Sequence, residues 1–301
     1  MPYLFSLNPP GPASKLALWS MTALLFCLLS LFATIDAFSQ SRQPSTCLAI
    51  AQNQTPLPII NTSAAHQGFT PVQSDQYSVN IRYVTHSTYR IESPEGVVIA
   101  TDFSGNAGAG KRPDIVTMNH AHGTHFTHFP DTNIPHVLKG WGEEGGKASH
   151  YLELNDTLTR NVSSDIYRGG VLIEADGNSI FIFEIAGLCI GHVGHLHHTL
   201  TPEHFAAIGR LDVLMIPVDG GRTMSIEGMS NLARQFRSSM ILPMHWFSGY
   251  SLQRFIQNVS ASFAIDMRND SSLDVSLNSL PGRPTVVVLQ PEISERFDFG
   301  D

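Results

Sequence analysis

The stretch Ile115-Val116-Thr117-Met118-Asn119-His120-Ala121-His122-Gly123-Thr124-His125 places three imidazoles within six residues at the exit of an apolar run. The run predicts a buried strand. Alternating histidines at its end, with a third one turn later, can converge on one point. A tetrahedral cation with nitrogen ligands requires that geometry. Two further islands repeat the pattern: His192-Val193-Gly194-His195-Leu196-His197-His198, and Pro243-Met244-His245-Trp246 behind another apolar run. Eleven of the 14 histidines lie between His120 and His204, a clustering that scattered surface residues would not give. The chain reads as a metalloprotein and as a hydrolase.

Composition narrows the partners. With 15% charged and 42% hydrophobic residues over 301 positions, the chain is globular and long enough to bury a sizeable core. A net charge of −8, only four lysines and no basic stripe exclude nucleic acid as partner and argue against a polyanionic substrate. Lys15 precedes an apolar run from Leu16 to Ala33, and Ala37-Phe38-Ser39 offers small residues at a cleavage spacing. Residues 1–37 are therefore expected to be a signal peptide or an uncleaved membrane anchor, with periplasmic or secreted export either way. Residues 38–75, rich in Ser, Gln, Thr and Pro, read as a linker or an extended wrap over the domain surface, followed by one domain over 76–295 and a tail over 296–301. The region before about Gln76 is expected to be dispensable for folding. Cys47 and Cys189 make no disulfide framework, and the sequence leaves open whether they bond to each other.

Strands are predicted over Val79–Thr85, Thr88–Glu92, Val97–Thr101, Ile115–Met118, Ile180–Ile185, Val213–Val218, Met240–Leu242 and Thr285–Leu289. Thr201-Pro202 predicts a helix start that Gly209 ends. Met229, Leu232, Ala233 and Phe236 mark a second helix, and Leu252, Phe255, Ile256 and Val259 a third. Early strands followed by strand–helix alternation imply sheets covered by helices. The stretch from Phe103 to Lys111 is glycine-rich but lacks the phosphate-loop pattern, and Gly-x-Ser-x-Gly is absent.

Four segments in order, "YVTHSTYRIESPEGVVIATD", "PDIVTMNHAHGTH", "GLCIGHVGHLHHTLTPEHFAAIGRLDVLMIPVDGG" and "MILPMHW", resemble the metallo-β-lactamase-fold hydrolases. The similar branch includes L-ascorbate-6-phosphate lactonase and N-acylphosphatidylethanolamine phospholipase D. The resemblance covers roughly Tyr77 to Gln290 and implies an α/β fold, an αββα sandwich with metal-site loops at one edge of the paired sheets. Departures fall on the family's metal ligands. His120, His122 and His125 match its first motif, but Thr124 occupies the aspartate position. Where a family histidine follows in the next loop, this chain offers only Ser163, Ser164 and Asp165. His195 replaces the bridging aspartate, and His245 matches the last histidine. A neutral imidazole cannot bridge two metals as a carboxylate does.

The resemblance implies an exported metal-dependent hydrolase using a metal-bound hydroxide on an ester, lactone, amide or phosphodiester. The expected ligands are His120, His122, His195 and His245, with His125 next, and the expected cofactor is zinc, one per protomer, with other divalent transition metals as the alternative. His197 or His198 could serve as general acid. Asp102 corresponds to an aspartate that orients a metal-site histidine, with Thr124 and Asp165 as further outer-layer residues. His86 is as readily structural, while His128, His136 and His150 read as loop residues. Two rival readings stand beside this one: a non-catalytic His-rich metal-binding module, and a membrane-tethered phosphodiesterase acting on a lipid-like substrate.

Overall fold

In the computed structural model, which describes residues 44–48, 77–143, 146–247 and 249–293, the histidine strand β4 (Ile115–Met118) belongs to a six-stranded sheet. Its order is β13-β1-β2-β3-β4-β5, built from β1 (Val79–Thr85), β2 (Thr88–Glu92), β3 (Val98–Ala100), β5 (His136–Lys139) and β13 (Ser272–Val275). The second sheet has eight strands in the order β12-β14-β11-β10-β9-β8-β7-β6. They are β6 (Tyr151–Leu154), β7 (Thr157–Arg168), β8 (Val171–Ile185), β9 (Leu188–His192), β10 (Val213–Pro217), β11 (Met240–Met244), β12 (Ala264–Met267) and β14 (Thr285–Val288). Strands β9, β10, β11 and β14 run parallel, and β10 and β11 are buried along their whole length. That burial on both faces is why they read as continuous apolar runs.

Crossovers between the parallel strands are helical: α1 (Pro202–Ile208), α2 (Ile226–Phe236) and α3 (Gly249–Val259). The Thr201 hydroxyl caps α1 as its sequence implied, and Ser225 caps α2. Met229, Leu232, Ala233, Leu252, Phe255 and Val259 seat α2 and α3 on the outer face of the second sheet. Between the sheets lies a second core of Ile81, Ile91, Ile99, Phe181, Phe183, Met215 and Leu242, among others. Each such side chain contributes about 1.5–3 kcal/mol on full burial. The expected sandwich is present with one difference. Over the first sheet the outer layer is loop: Phe103 and Ile134 pack on Ala100, Val116 and Met118, with no helix there among the described residues. The covering segment, dense in His, Gly, Thr and Pro, carries no helical apolar period.

Two sequence expectations need correction. The stretch from Asn161 to Gly170 is not a loop: through Arg168 it is the body and end of β7, paired antiparallel with β8. Nor is the described piece of the segment before Gln76 dispensable to the domain's packing. The chain divides into units Met1–Pro44 and Ser45–Asp301, so Ser45–Leu48 belongs with the domain. Cys47 is disulfide-bonded to Cys189 of β9, with Cα atoms 5.9 Å apart, and both residues are fully buried. Glu184 accepts hydrogen bonds from Ser45 Oγ (2.5 Å), the Thr46 amide (2.8 Å) and Arg160 Nε (2.9 Å). The apolar run 16–33 lies outside the described residues. Among the described residues no helix is long and apolar enough to cross a membrane.

Candidate metal centre

Strands from both sheets deliver their C-terminal ends to one rim, the position where α/β sheets usually bind ligands. His86 sits in the β1–β2 turn, Asp102 follows β3, and His120 follows β4. From the other sheet come His195 after β9, Asp219 after β10 and His245 after β11. His86 (φ 45°), Asp102 (φ 48°) and His245 (φ 57°) all adopt left-handed backbone. For a non-glycine residue that conformation costs on the order of 1–3 kcal/mol, and such strain concentrates at functional sites. A backbone bond from the His245 amide to the His86 carbonyl, 2.8 Å, ties the two turns together. Gly194 has φ 62° and leaves no room for a Cβ, which would lie 2.6 Å from the side chains of Asn119 and Asn178. That close approach lets Asn178 Oδ1 hold the His195 amide at 2.8 Å.

The tightest convergence is His86, His125 and His245, whose candidate ligand nitrogens lie within 4.8 Å of one another. His195 adjoins this triad, its ring centroid 4.5 Å from that of His125 and 5.9 Å from that of His245. His120 and His122 flank His195, 5.3 and 5.9 Å from its ring, and His122 lies 5.8 Å from His125. The structure thus gathers His125, His195 and His245 from the sequence-derived set and adds His86. Of that set, it leaves His120 and His122 outside the triad.

Hydrogen bonds on the far side of each ring set its tautomer. His125 Nδ1 meets Asp102 Oδ2 at 2.5 Å, His245 Nδ1 meets Asp219 Oδ2 at 2.7 Å, and His120 Nδ1 meets the Gly177 carbonyl at 2.7 Å. Each Nδ1–H donates outward, so each Nε2 keeps a lone pair for a ligand. His125 Nε2 and His195 Nδ1 are buried with no hydrogen-bond partner. Leaving such atoms bare costs about 1–3 kcal/mol each, which a bound cation would offset. Burial, reinforced by neighbouring imidazoles, pushes the His195 imidazole far below its ordinary pKa and His86 down to about 3. Burial also lowers His120, and it lowers His245 against the opposing bond from Asp219. For Asp102 and Asp219 burial works against ionisation. Their histidine partners outweigh it and hold both carboxyls below the usual range. Neutral imidazoles backed by ionised carboxylates are the ligand state that borderline transition metals take up, and the residues fit such a cation.

Other sequence-derived residues fall as follows. Thr124 Oγ1 lies 3.3 Å from His122 Nδ1, and both residues are exposed. Asp165 accepts from the Asp176 amide on β8 and does not line the cavity. Both nitrogens of His198 are engaged, with the Asp165 amide (3.1 Å) and the Thr199 carbonyl (2.9 Å). His197 is different: its Nε2 is buried without a partner and its ring lies 4.8 Å from His195. His192 spends both nitrogens on Ser87, Asn119 and Gly194, so it is a strand residue. Asp219 is a residue that sequence reasoning missed. Its Oδ1 accepts the amides of Gly221, Arg222 and Thr223 at 2.9, 2.6 and 3.1 Å. An acidic residue just past an apolar strand was the available signal, as at Asp102. Above the cluster opens a cavity of about 830 Å³.

Paired sheets with a histidine-rich rim define the class: the metallo-β-lactamase-fold hydrolase superfamily. A model of the beta-lactamase superfamily domain matches residues 80–245, more than half the chain, and the chain belongs to that family. It is similar to a UPF0173 metal-dependent hydrolase of Pyrococcus furiosus, 24% identical over 56% of this chain and 84% of that relative. A UPF0173 metal-dependent hydrolase of Methanosphaera stadtmanae is 26% identical over 60% of this chain and 91% of its own length. Among solved structures, a Thermotoga maritima protein assigned as a Zn-dependent hydrolase of the superfamily superimposes with a TM-score of 0.53. It is 22% identical and covers 71% of this chain and all of its own, a likeness of fold.

Proposed function

We propose that this chain is an exported zinc-dependent hydrolase of small molecules, cleaving an ester, lactone, amide or phosphodiester bond. The observation that carries the reading is the pair of buried, unpartnered nitrogens, His125 Nε2 and His195 Nδ1, beside His86 and His245 and under an open cavity. His125, His245 and His86 would hold the cation, with His195 beside them. A divalent cation there supplies Lewis acidity and lowers the pKa of a coordinated water towards neutrality. Asp102 and Asp219 keep the ligand rings oriented and electron-rich. His197, whose Nε2 has no hydrogen-bond partner and whose ring lies 4.8 Å from His195, would be the proton-transfer residue, taking a proton from the nucleophile before returning it to the leaving group. The names of the curated relatives support a metal-dependent hydrolase. A cavity of about 830 Å³ over the cluster favours catalysis over a closed storage site. Export is supported by the buried Cys47–Cys189 bond, since disulfides persist in oxidising compartments.

Elemental analysis of the purified chain, with a panel of ester, lactone, amide and phosphodiester substrates, tests this reading. Stoichiometric zinc and turnover that chelation removes and zinc restores are expected, and both are lost in His245→Ala. A metal-free protein with activity unaffected by chelator would overturn it.

A further inference from the structure

We propose that the cavity selects a small substrate bearing a single carboxylate or similar oxyanion, and that Arg222 reads that charge. The proposal rests on the hydrolase reading only in calling the ligand a substrate, because anion recognition is a property of the cavity itself. None of the described lining residues is Asp or Glu, whereas Arg168 and Arg222 both contribute to the wall. Neither guanidinium forms an ion pair with a described residue. Behind the histidines the two buried carboxylates, Asp102 and Asp219, would balance one divalent cation. No carboxylate of the described residues lies within ion-pair distance of either arginine. A cavity wall with two guanidiniums that have no ion-pair partner among the described residues suits an anion.

Arg222 is also held in place. Its amide is one of the three that Asp219 Oδ1 gathers, at 2.6 Å. Its guanidinium carbon lies 5.0 Å from the centroid of the Phe247 ring, and that ring is 4.8 Å from His245. The fork is thereby kept beside the metal-side histidines with donors free to take both oxygens of a carboxylate. The net charge of −8 repels long polyanions, which restricts the ligand to a small one. Ile173, 56% exposed at the cavity edge, offers an apolar surface for the rest of such a molecule.

The test uses N-benzoylglycine and its neutral amide as matched probes. Binding to the full chain is measured by calorimetry, once as purified and once after chelation. The carboxylate is expected to bind about 10-fold tighter than the amide in both preparations, the scale of one charge-assisted bidentate contact. Arg222→Gln should abolish that preference and Arg222→Lys should retain part of it, with thermal unfolding showing both variants folded. Failure of the carboxylate to bind at concentrations on the order of 10 mM would overturn the proposal. So would a preference that Arg222→Gln leaves intact, which would assign anion recognition to the cation. A metal-free, inactive protein that still shows an Arg222-dependent preference would defeat the hydrolase reading and leave this one standing.

Discussion

Asp219 Oδ2 receives the Nδ1–H of His245 at 2.7 Å while also accepting the Thr223 hydroxyl at 2.7 Å. With three amides on Oδ1, this carboxylate is fully engaged and cannot swing to ligate a cation. Its role is to fix the His245 ring. Asp219→Asn is expected to weaken zinc affinity about 10- to 100-fold, as loss of an outer partner does. Competition with a chromophoric chelator measures it, and unchanged affinity would remove His245 from the ligand set.

The disulfide makes a second prediction. Cys47–Cys189 closes a loop with sequence separation 142, and the segment it anchors is further held by Glu184. Cys47→Ser should cost about 2–5 kcal/mol of stability. A chain starting near Asp75 should lose at least as much, because it also leaves Glu184 with fewer partners. Chemical denaturation of the three proteins checks this. Equal midpoints would restore the view that everything before Gln76 is dispensable.

Much of this fold was legible in residues 113–125 and the later apolar runs, because β4, β10 and β11 are buried on both faces and their sequences show it. β7 was not legible. Asn161, Ser163 and Ser164 break its apolar pattern, yet two of the three are buried and all are hydrogen-bonded, Asn161 to Ala148 and Ser179, Ser164 to Asn178. Polar satisfaction inside a sheet depends on the neighbouring strand, which local periodicity does not contain. His86 was underrated for a similar reason. It lies far upstream of the histidine islands, and the turn between β1 and β2, linked to His245 by one backbone bond, brings it to them. Gly194 and the strand-end position of Asp102 were readable in isolation, but their meaning came from Asn119, Asn178 and His125.

The buried imidazoles fix a pH dependence. His86, His120, His195 and His245 all have folded pKa values below the ordinary 6.5, His86 at about 3. A depressed pKa means that the unfolded chain binds protons more readily. The stability contributed is complete above about pH 6.5 and is lost as pH falls towards the folded values. Each such histidine contributes up to about 1.4 kcal/mol per pH unit within that window. The thermal midpoint of the metal-free protein should therefore fall steadily between pH 7 and pH 5. A flat profile over that range would show these rings to be already protonated or solvated in the fold.

One cation per chain is the last expectation. Two divalent ions at about 4 Å repel by on the order of 4 kcal/mol per pair of unit charges, and more at double charge. Shared carboxylates offset that in the family's binuclear centres. The resemblance aligns Thr124 and His195 with those acidic positions, Asp165 is turned to the Asp176 amide, and Asp102 and Asp219 are committed to histidines. The tight triad of His86, His125 and His245 would hold one ion without a bridging carboxylate. Anomalous scattering at the zinc edge should locate a single peak at that triad, and His86→Ala should weaken affinity more than His120→Ala. Two fully occupied peaks about 4 Å apart, or a peak centred on His120 and His122, would place the charge balance elsewhere and return the site to the set read from sequence alone.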